Sequence, residues 1–454
     1  MPAHLPAVLA ACDRNRERDR ADLFRLLAQP SISTQNVGVR ECAGLVEAFL
    51  DGAGLAAQII ETPGHPMVFG ERSGPPGAPT LLLYGHYDVQ PPDPLDAWVS
   101  PPFEPTVRDG RVYARGAGDN KGQFFAHIAA LRAWVETAGQ LPVSVKVLLE
   151  GEEECGSPHV DGFVAAHREL LAADLVVTAD GPAHHETRPQ IEYGVRGLLY
   201  VEISARGAAH DLHSGNWGGI APNPVWALVH LLGTVLSPAG EITVEGFHDD
   251  VRPLSPAARD AIARIPLDPG AALASVGLTR YAAPEDLGHV ERLVGRPTAN
   301  IAGLHGGYGG EGSKTIIPAE ATAKLDFRLV PDQDPDDVYA KLLAHVRRHA
   351  PDVAVRRLGA MRPSHTALDH PLAAPLRRAL ATGFGAEPFD VPLVGGSLPD
   401  AVWTRTLGLP SFVVPYANHD EANHAPNENL VLDRFYAGIR TTAALVAELA
   451  ADGR

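Results

Sequence analysis

The apolar run Thr80-Leu81-Leu82-Leu83-Tyr84 leads directly into Gly85-His86-Tyr87-Asp88-Val89. A short apolar run bounded in this way reads as a buried strand. His86 and Asp88 therefore leave the C-terminal end of a strand, where open α/β sheets bind their ligands. An imidazole in that place can hold a metal while a carboxylate two residues on aims it. Taken singly, such a pair is ordinary loop polarity, so the weight falls on what the rest of the chain supplies.

More strands and helices alternate with this one. Cys42, Leu45, Val46, Phe49 and Leu50 recur at helical spacing. Val68-Phe69 and the Thr80 run flank Ser73-Gly74-Pro75-Pro76-Gly77, which reads as a turn between two strands. Residues 121–136 read as a helix opened by Asp119-Asn120 as N-caps. Val143 to Leu149 and Leu175-Val176-Val177-Thr178 read as further strands. Strands alternating with helices predict a largely parallel sheet covered on both faces. After Gly194-Val195-Arg196-Gly197 the texture changes. Leu199 to Ser204 alternates, residues 222–236 look helical, and 240–296 are rich in Pro and Ala with weak periodicity. Ala323, Leu325, Phe327 and Leu329 share one face of a strand whose other face carries Lys324, Asp326 and Arg328. A helix is predicted over 336–349. The α/β texture returns with Leu376 to Ala381, the strand Ser411 to Pro415 and a helix from Leu432 to Leu449. The expectation is an α/β domain built from residues 1–197 and 383–454, with an α+β domain over 198–382 inserted between its strands.

A chain of 454 residues exceeds one ordinary core, which agrees with two domains. Its net charge of −17 argues against nucleic acid or an anionic membrane as partner. Three cysteines, Cys12, Cys42 and Cys155, make no disulfide framework and point to a reducing, cytoplasmic compartment. Leu9-Ala10-Ala11-Cys12 has the look of a lipoprotein cleavage box but lacks the basic and apolar stretches before it. No apolar stretch is long enough to predict a membrane span.

Three other strand ends carry acids, and a loop after a fourth carries a histidine. Asp119 stands in Gly116-Ala117-Gly118-Asp119-Asn120-Lys121-Gly122, Glu150-Gly151-Glu152-Glu153-Glu154 follows one strand, and Asp180 follows another. Asn423-His424-Ala425-Pro426-Asn427-Glu428 lies just beyond the Ser411 strand. Each has a bland reading: a helix cap, a solvated charge run, a turn residue, a loop histidine. In a parallel sheet, however, all of these ends share one edge. Two histidines and four or more carboxylates converging there would not stay ionised together without a cation. The nitrogen and oxygen donors suit Zn²⁺, and also Mn²⁺ or Co²⁺. Two such ions need a bridging carboxylate, and one carboxylate must be left over to move protons.

In this order, the Gly85–Val89, Gly116–Gly122, Glu150–Ser157, Asp211-Leu212-His213-Ser214-Gly215 and His424–Glu428 segments resemble a co-catalytic zinc exopeptidase family. It comprises carnosine and cysteinylglycine dipeptidases, aminoacylase, succinyl-diaminopimelate desuccinylase and glutamate carboxypeptidase. Arg328-Leu329-Val330-Pro331 and Gly395-Gly396-Ser397-Leu398-Pro399 resemble its carnosine-type dipeptidase branch. The resemblance implies that His86 and Asp180 bind one metal, that Glu154 and His424 bind another, and that Asp119 bridges them before a cis Asp119-Asn120 bond. It implies that Asp88 orients His86 and that Glu153 moves the proton. A shift of one residue in the three-Glu run would exchange base and ligand; Cys155-Gly156-Ser157 anchors the register. Cys155 itself reads as a packing variant and not as a nucleophile. The inserted domain is implied to be a lid and homodimerisation domain, with His213 reaching the partner's active site to stabilise the oxyanion. Arg328 is implied to grip the substrate's carboxylate, with His365 and Ser397 as further substrate contacts. The implied reaction is cleavage of dipeptides or short peptides with a free C-terminal carboxylate; N-acyl-amino-acid deacylation is the rival, and a catalytically dead peptide-binding relative is the reading from another class.

One motif is excluded. Gly307-Tyr308-Gly309-Gly310-Glu311-Gly312-Ser313-Lys314-Thr315 mimics a phosphate loop, but Ser313 separates the glycine from Lys314, and Ile316-Ile317-Pro318 leads to a strand, not a helix.

Overall fold

The computed structural model describes residues 4–185, 187–282 and 287–452. Its larger sheet has eight strands in the order Ala56–Ile60, Met67–Arg72, Ser144–Glu150, Thr80–His86, Leu175–Thr178, Ser411–Val413, Gln190–Glu192 and Phe389–Val391. The central ladders are parallel, pairing Ser144–Glu150 with Thr80–His86, then Leu175–Thr178, then Ser411–Val413. Antiparallel strands are added on the Ala56 side, and Gln190–Glu192 meets Ser411–Val413 antiparallel through one pair. The sheet is therefore largely parallel. The strands on either side of the 73–77 turn do not pair with each other, because Ser144–Glu150 lies between them.

Period-two alternation divides the two cores. Leu81 and Leu83 face a core shared with the helices Val39–Gly52, Lys121–Ala138, Ala373–Phe384 and Leu432–Asp452. Leu82 and Tyr84 face the opposite core with Phe163, Val164, Val176 and Trp403. Burying each such side chain stabilises the fold by roughly 1.5–3 kcal/mol. Registers His86 with Glu150, Tyr84 with Thr178 and Val413 with Thr178 bring these strand ends to one edge. Sequence logic and register thus agree on where the polar segments gather.

A second, antiparallel sheet runs Thr298–Gly306, Glu320–Leu329, Gly197–Arg206, Ala354–Met361. Ala323, Leu325, Phe327 and Leu329 all point into its core, under the helices Pro224–Leu232 and Pro335–His349. The described residues of the weakly periodic 240–296 stretch hold three short helices, Pro256–Ala263, Pro269–Ser275 and His289–Val294. The chain is back against the first sheet by the helix Ala373–Phe384, which buries Leu376 and Leu380 beside the last helix. Among the described residues no helix is long and apolar enough to cross a membrane.

The expected helix over 121–136 forms as Lys121–Ala138, but its opening differs from the capping reading. Asn120 makes no side-chain cap. Its Oδ1 accepts from the His86 N–H (3.3 Å) and its Nδ2 donates to the Ala179 carbonyl (2.6 Å). Asn120 therefore ties two strand ends together, and the Asp119-Asn120 peptide bond is cis. Asp119 is likewise engaged away from the helix.

Candidate active site

His86 ends its strand fully buried. Its Nδ1 sits 3.1 Å from the Asp88 carbonyl oxygen and 3.3 Å from Asp88 Oδ1. The Asp88 carboxylate also accepts the backbone N–H groups of Glu153 (3.2 Å) and Glu154 (3.1 Å). Asp88 thus aims the imidazole and pins the turn that carries the next two acids. The other ring nitrogen, Nε2, lies 3.1 Å from Asp119 Oδ1, 3.6 Å from Asp180 Oδ2 and 4.0 Å from Glu153 Oε2. It is buried and has no hydrogen-bond partner of acceptable geometry among the described residues. A buried imidazole nitrogen facing three carboxylates without donating to any of them is placed as a metal ligand would be.

Asp119 faces both ways. While its Oδ1 faces His86, its Oδ2 is 3.0 Å from His424 Nε2, which in turn is 3.1 Å from Glu154 Oε2. Two donor groups result, His86–Asp119–Asp180 and Asp119–Glu154–His424, each with ligand atoms within 4.8 Å of one another. Gln90 Nε2 donates to Glu154 Oε2 (2.9 Å), and Asp180 Oδ1 accepts from the Gly181 N–H (2.7 Å). His424 adopts a left-handed backbone (φ 55°) that turns its ring toward the carboxylates.

The three-Glu run separates in space. Glu152 pairs with His159 Nδ1 (2.6 Å), Glu153 turns toward His86, and Glu154 meets His424. Cys155 lies at the surface, and the partial desolvation of its thiol, then Asp88, push it up to about 11, so it stays almost wholly protonated at neutral pH.

The charges at this edge oppose one another. Burial raises the Asp180 carboxyl to about 6, with His86 pulling it down and Asp119 pushing it up. Burial also drives Glu153 well above the carboxylate range, against the pull of His86 and with the push of Asp180 and Glu154. Burial would lower His86, but the Asp119 and Asp88 carboxylates beside its ring lift it well above its ordinary value. Hydrogen bonding to Asp119 and Glu154 holds His424 at about 10. A divalent cation bound by His86 and His424 must therefore displace the protons these imidazoles favour holding at neutral pH. Apparent metal affinity is therefore expected to rise with pH, by about tenfold per pH unit for each proton displaced, from neutral pH up to about pH 10, where His424 gives up its proton. Calorimetric titration of the apoprotein with Zn²⁺ in buffers of different ionisation enthalpy measures the proton release directly. An affinity flat across that range would contradict this electrostatic account.

The remaining expected residues lie elsewhere. Arg328, at the end of its strand, donates from Nη1 to Ser397 Oγ (2.8 Å), so these two do come together. His365 lines a cavity of about 680 Å³ with Arg252, Asp332, Leu393 and Arg405, and burial lowers its pKa. His213 is exposed on the small ribbon Leu212–His213 with Ile316–Ile317, and its Nδ1 accepts from the Gly215 N–H (3.0 Å). The mimic of a phosphate loop is an exposed turn leading into that ribbon. Sequence reading took Asn120 for a helix cap, passed over Gln90 and Arg115, and gave no role to Glu428. The last stands inside the His424 segment, and no periodicity marks a buried carboxylate.

An α/β sheet edge carrying two donor groups that share one aspartate defines a dinuclear type of metallopeptidase. The chain matches peptidase family M20/M25/M40 over residues 82–448 and belongs to that family. It is 32% identical over 451 residues to the Beta-Ala-His dipeptidase of Homo sapiens, covering 95% of this chain and 86% of that protein. It is 31% identical over 400 residues to a Cys-Gly metallodipeptidase of Schizosaccharomyces pombe, covering 86% and 84% of the two chains. Among solved structures, an M20 family metallo-carboxypeptidase from Sulfolobus solfataricus superposes with a TM-score of 0.90 at 34% identity, over 95% of this chain and 99% of that one.

Proposed function

We propose that this protein is a metal-dependent dipeptidase that hydrolyses the amide bond of dipeptides or short peptides bearing a free C-terminal carboxylate. The observation that carries the reading is Asp119, whose two carboxylate oxygens face His86 and His424 separately. His86 and Asp180 would hold one divalent ion, Glu154 and His424 a second, and Asp119 both. Bound Zn²⁺, Mn²⁺ or Co²⁺ supplies Lewis acidity that polarises the scissile carbonyl and lowers the pKa of the attacking water. Glu153, part-buried beside the His86 group and engaged by neither imidazole at hydrogen-bond distance, takes the proton from that water and returns it to the leaving amine. Asp88 keeps His86 in the ring orientation the site needs. Arg328, steadied by the Ser397 hydroxyl, is suited to a bidentate grip on the carboxylate, and His365 borders the neighbouring cavity. The activities of these relatives, two dipeptidases and a carboxypeptidase, support peptide cleavage over N-acyl-amino-acid deacylation.

The test is a hydrolysis panel of dipeptides and N-acyl amino acids on metal-stripped enzyme reloaded with Zn²⁺, Mn²⁺ or Co²⁺. Dipeptide cleavage under at least one metal is expected. Cleavage of acyl amino acids alone would replace the reading with a deacylase, and no cleavage of either class would favour a binding protein without activity.

The antiparallel unit is assigned to a lid that also forms a homodimer. Trp226 (60 % exposed) on the helix Pro224–Leu232, and Ile301 (55 %) and Leu304 (49 %) on the edge strand Thr298–Gly306, are large apolar groups without cover. His213 makes no contact with the metal groups of its own chain, which suits a role in the partner's site. Removing an oxyanion donor typically costs about 10²-fold in kcat, so His213→Ala is expected to lose that much. Ile301→Lys combined with Trp226→Glu is expected to give a monomer with a comparable loss, read by light scattering and initial rates. A monomer of full activity would count against action in trans. The unpaired state of Cys12, Cys42 and Cys155 supports a reducing, cytoplasmic setting.

A further inference from the structure

The segment that presents Asp119 is held from behind by a carboxylate outside both donor groups. Glu428 is completely buried, and its ion pair with Arg115 spans 2.7 Å between side chains exposed by only 1 % and 0 %. Its Oε1 accepts the backbone N–H groups of Gly118 and Asp119, each at 2.9 Å. Its Oε2 accepts the Gly116 N–H (3.1 Å) and Arg115 Nη1 (2.7 Å). Three backbone N–H groups converging on one carboxylate form an anion nest, and the guanidinium adds a charge-assisted bond.

The same side chain links three stretches of the site. Glu428 ends the segment that begins with His424, and its backbone carbonyl accepts the Ala114 N–H (3.2 Å). Arg115 extends from Glu428 to the Pro91 carbonyl through Nη2 (3.2 Å), just beyond His86 and Asp88. On its other side the 116–119 turn packs against Glu421, closely enough that a Cβ on Gly118 would lie 2.1 Å from Glu421 Oε2. The turn is therefore confined between two buried acids, and only one of them, Glu428, is bonded to it.

We propose that Glu428 is a positioning residue: through the nest it sets the direction of the Asp119 carboxylate between the His86 and His424 groups, and through Arg115 it ties those groups to one frame. Glu428 touches neither ligand atoms nor substrate. The inference rests on the reading of Asp119 as the shared ligand, and not on which peptide is cleaved. An amide at this position presents an NH₂ where the nest requires an acceptor, so Glu428→Gln keeps the shape while undoing the function. Arg115→Lys keeps the charge and loses the fork.

The experiment uses the full chain and two readouts that need no substrate. In the metal-free protein, Glu428→Gln is expected to speed amide hydrogen exchange about tenfold or more at residues 116–119 and 424–428 and to leave the rest unchanged. With Co²⁺ as the probe, chelator competition is expected to show affinity lower by about 10–100-fold, with an altered visible absorption band for the ion that remains bound. Arg115→Lys is expected to shift both readouts in the same direction by less, and it decides the question if Glu428→Gln does not fold. Wild-type exchange and an unchanged Co²⁺ band would overturn the proposal. So would exchange raised evenly over the whole chain with Co²⁺ affinity intact, the mark of a purely structural residue. Absence of dipeptide cleavage by the wild type would overturn the dipeptidase reading and leave this test unaffected.

Discussion

Asp119→Ala is expected to strip both ion positions at once and to abolish turnover. No other side chain belongs to both donor groups. Its two oxygens approach His86 Nε2 at 3.1 Å and His424 Nε2 at 3.0 Å, so neither group keeps more than two protein ligands without it. Losing Lewis-acid help removes several kcal/mol of transition-state stabilisation, and each 1.36 kcal/mol is tenfold in rate, so a fall on the order of 10⁴-fold in kcat/KM follows. His86→Ala should instead empty one position. Asp88→Asn should leave metal largely bound and slow the chemistry about 10–100-fold, because it acts on ring orientation. Elemental analysis of purified variants, with initial rates, separates these outcomes. An Asp119→Ala protein that still binds two ions per chain would sink the shared-ligand assignment.

Glu153→Gln is expected to leave the metal content unchanged and to lower kcat by about 10²–10⁴-fold, the usual contribution of a general base. The geometry that supports this is the divergence of consecutive residues. The Glu153 and Glu154 backbone N–H groups both bind the Asp88 carboxylate, which fixes the turn. From that turn Glu154 reaches His424 at 3.1 Å, while Glu153 stops 4.0 Å from His86 Nε2. A carboxylate that borders the ions without completing either donor group is free to exchange protons. Glu154→Gln should show the opposite pattern, losing metal first and rate as a consequence. If Glu153→Gln loses metal and Glu154→Gln keeps it, the roles in the acidic run are exchanged.

Much of this site was legible along the chain because its first determinants are local. A buried strand shows itself by an unbroken apolar run, and the residues after Leu83, Leu149 and Val177 therefore had to emerge at strand ends. The alternation of Ala323, Leu325, Phe327 and Leu329 likewise placed Arg328 on the open face of a second sheet, as found. Capping was misread for Asn120 for a physical reason. The residue type suits a helix start, but the Ala179 carbonyl, 59 residues away, competes for the side chain and wins it.

Sequence alone indicated which segments carry donor atoms and that the His86, Glu150 and Asp180 segments leave strands at one edge, while the parallel-sheet argument and the family resemblance joined Asp119 and His424 to them. Strand period and register are short-range properties, so they survive in the linear chain. Only the tertiary structure decided which of three adjacent glutamates turns toward which histidine, and that both oxygens of Asp119 are used. It also decided that Glu428, 310 residues from Gly118, closes the back of the site. A carboxylate has the same chemistry on a solvated surface, at a metal position or in a nest of N–H groups. What distinguishes these is the set of groups that folding brings within 3 Å or so of it, and that set is written in long-range contacts.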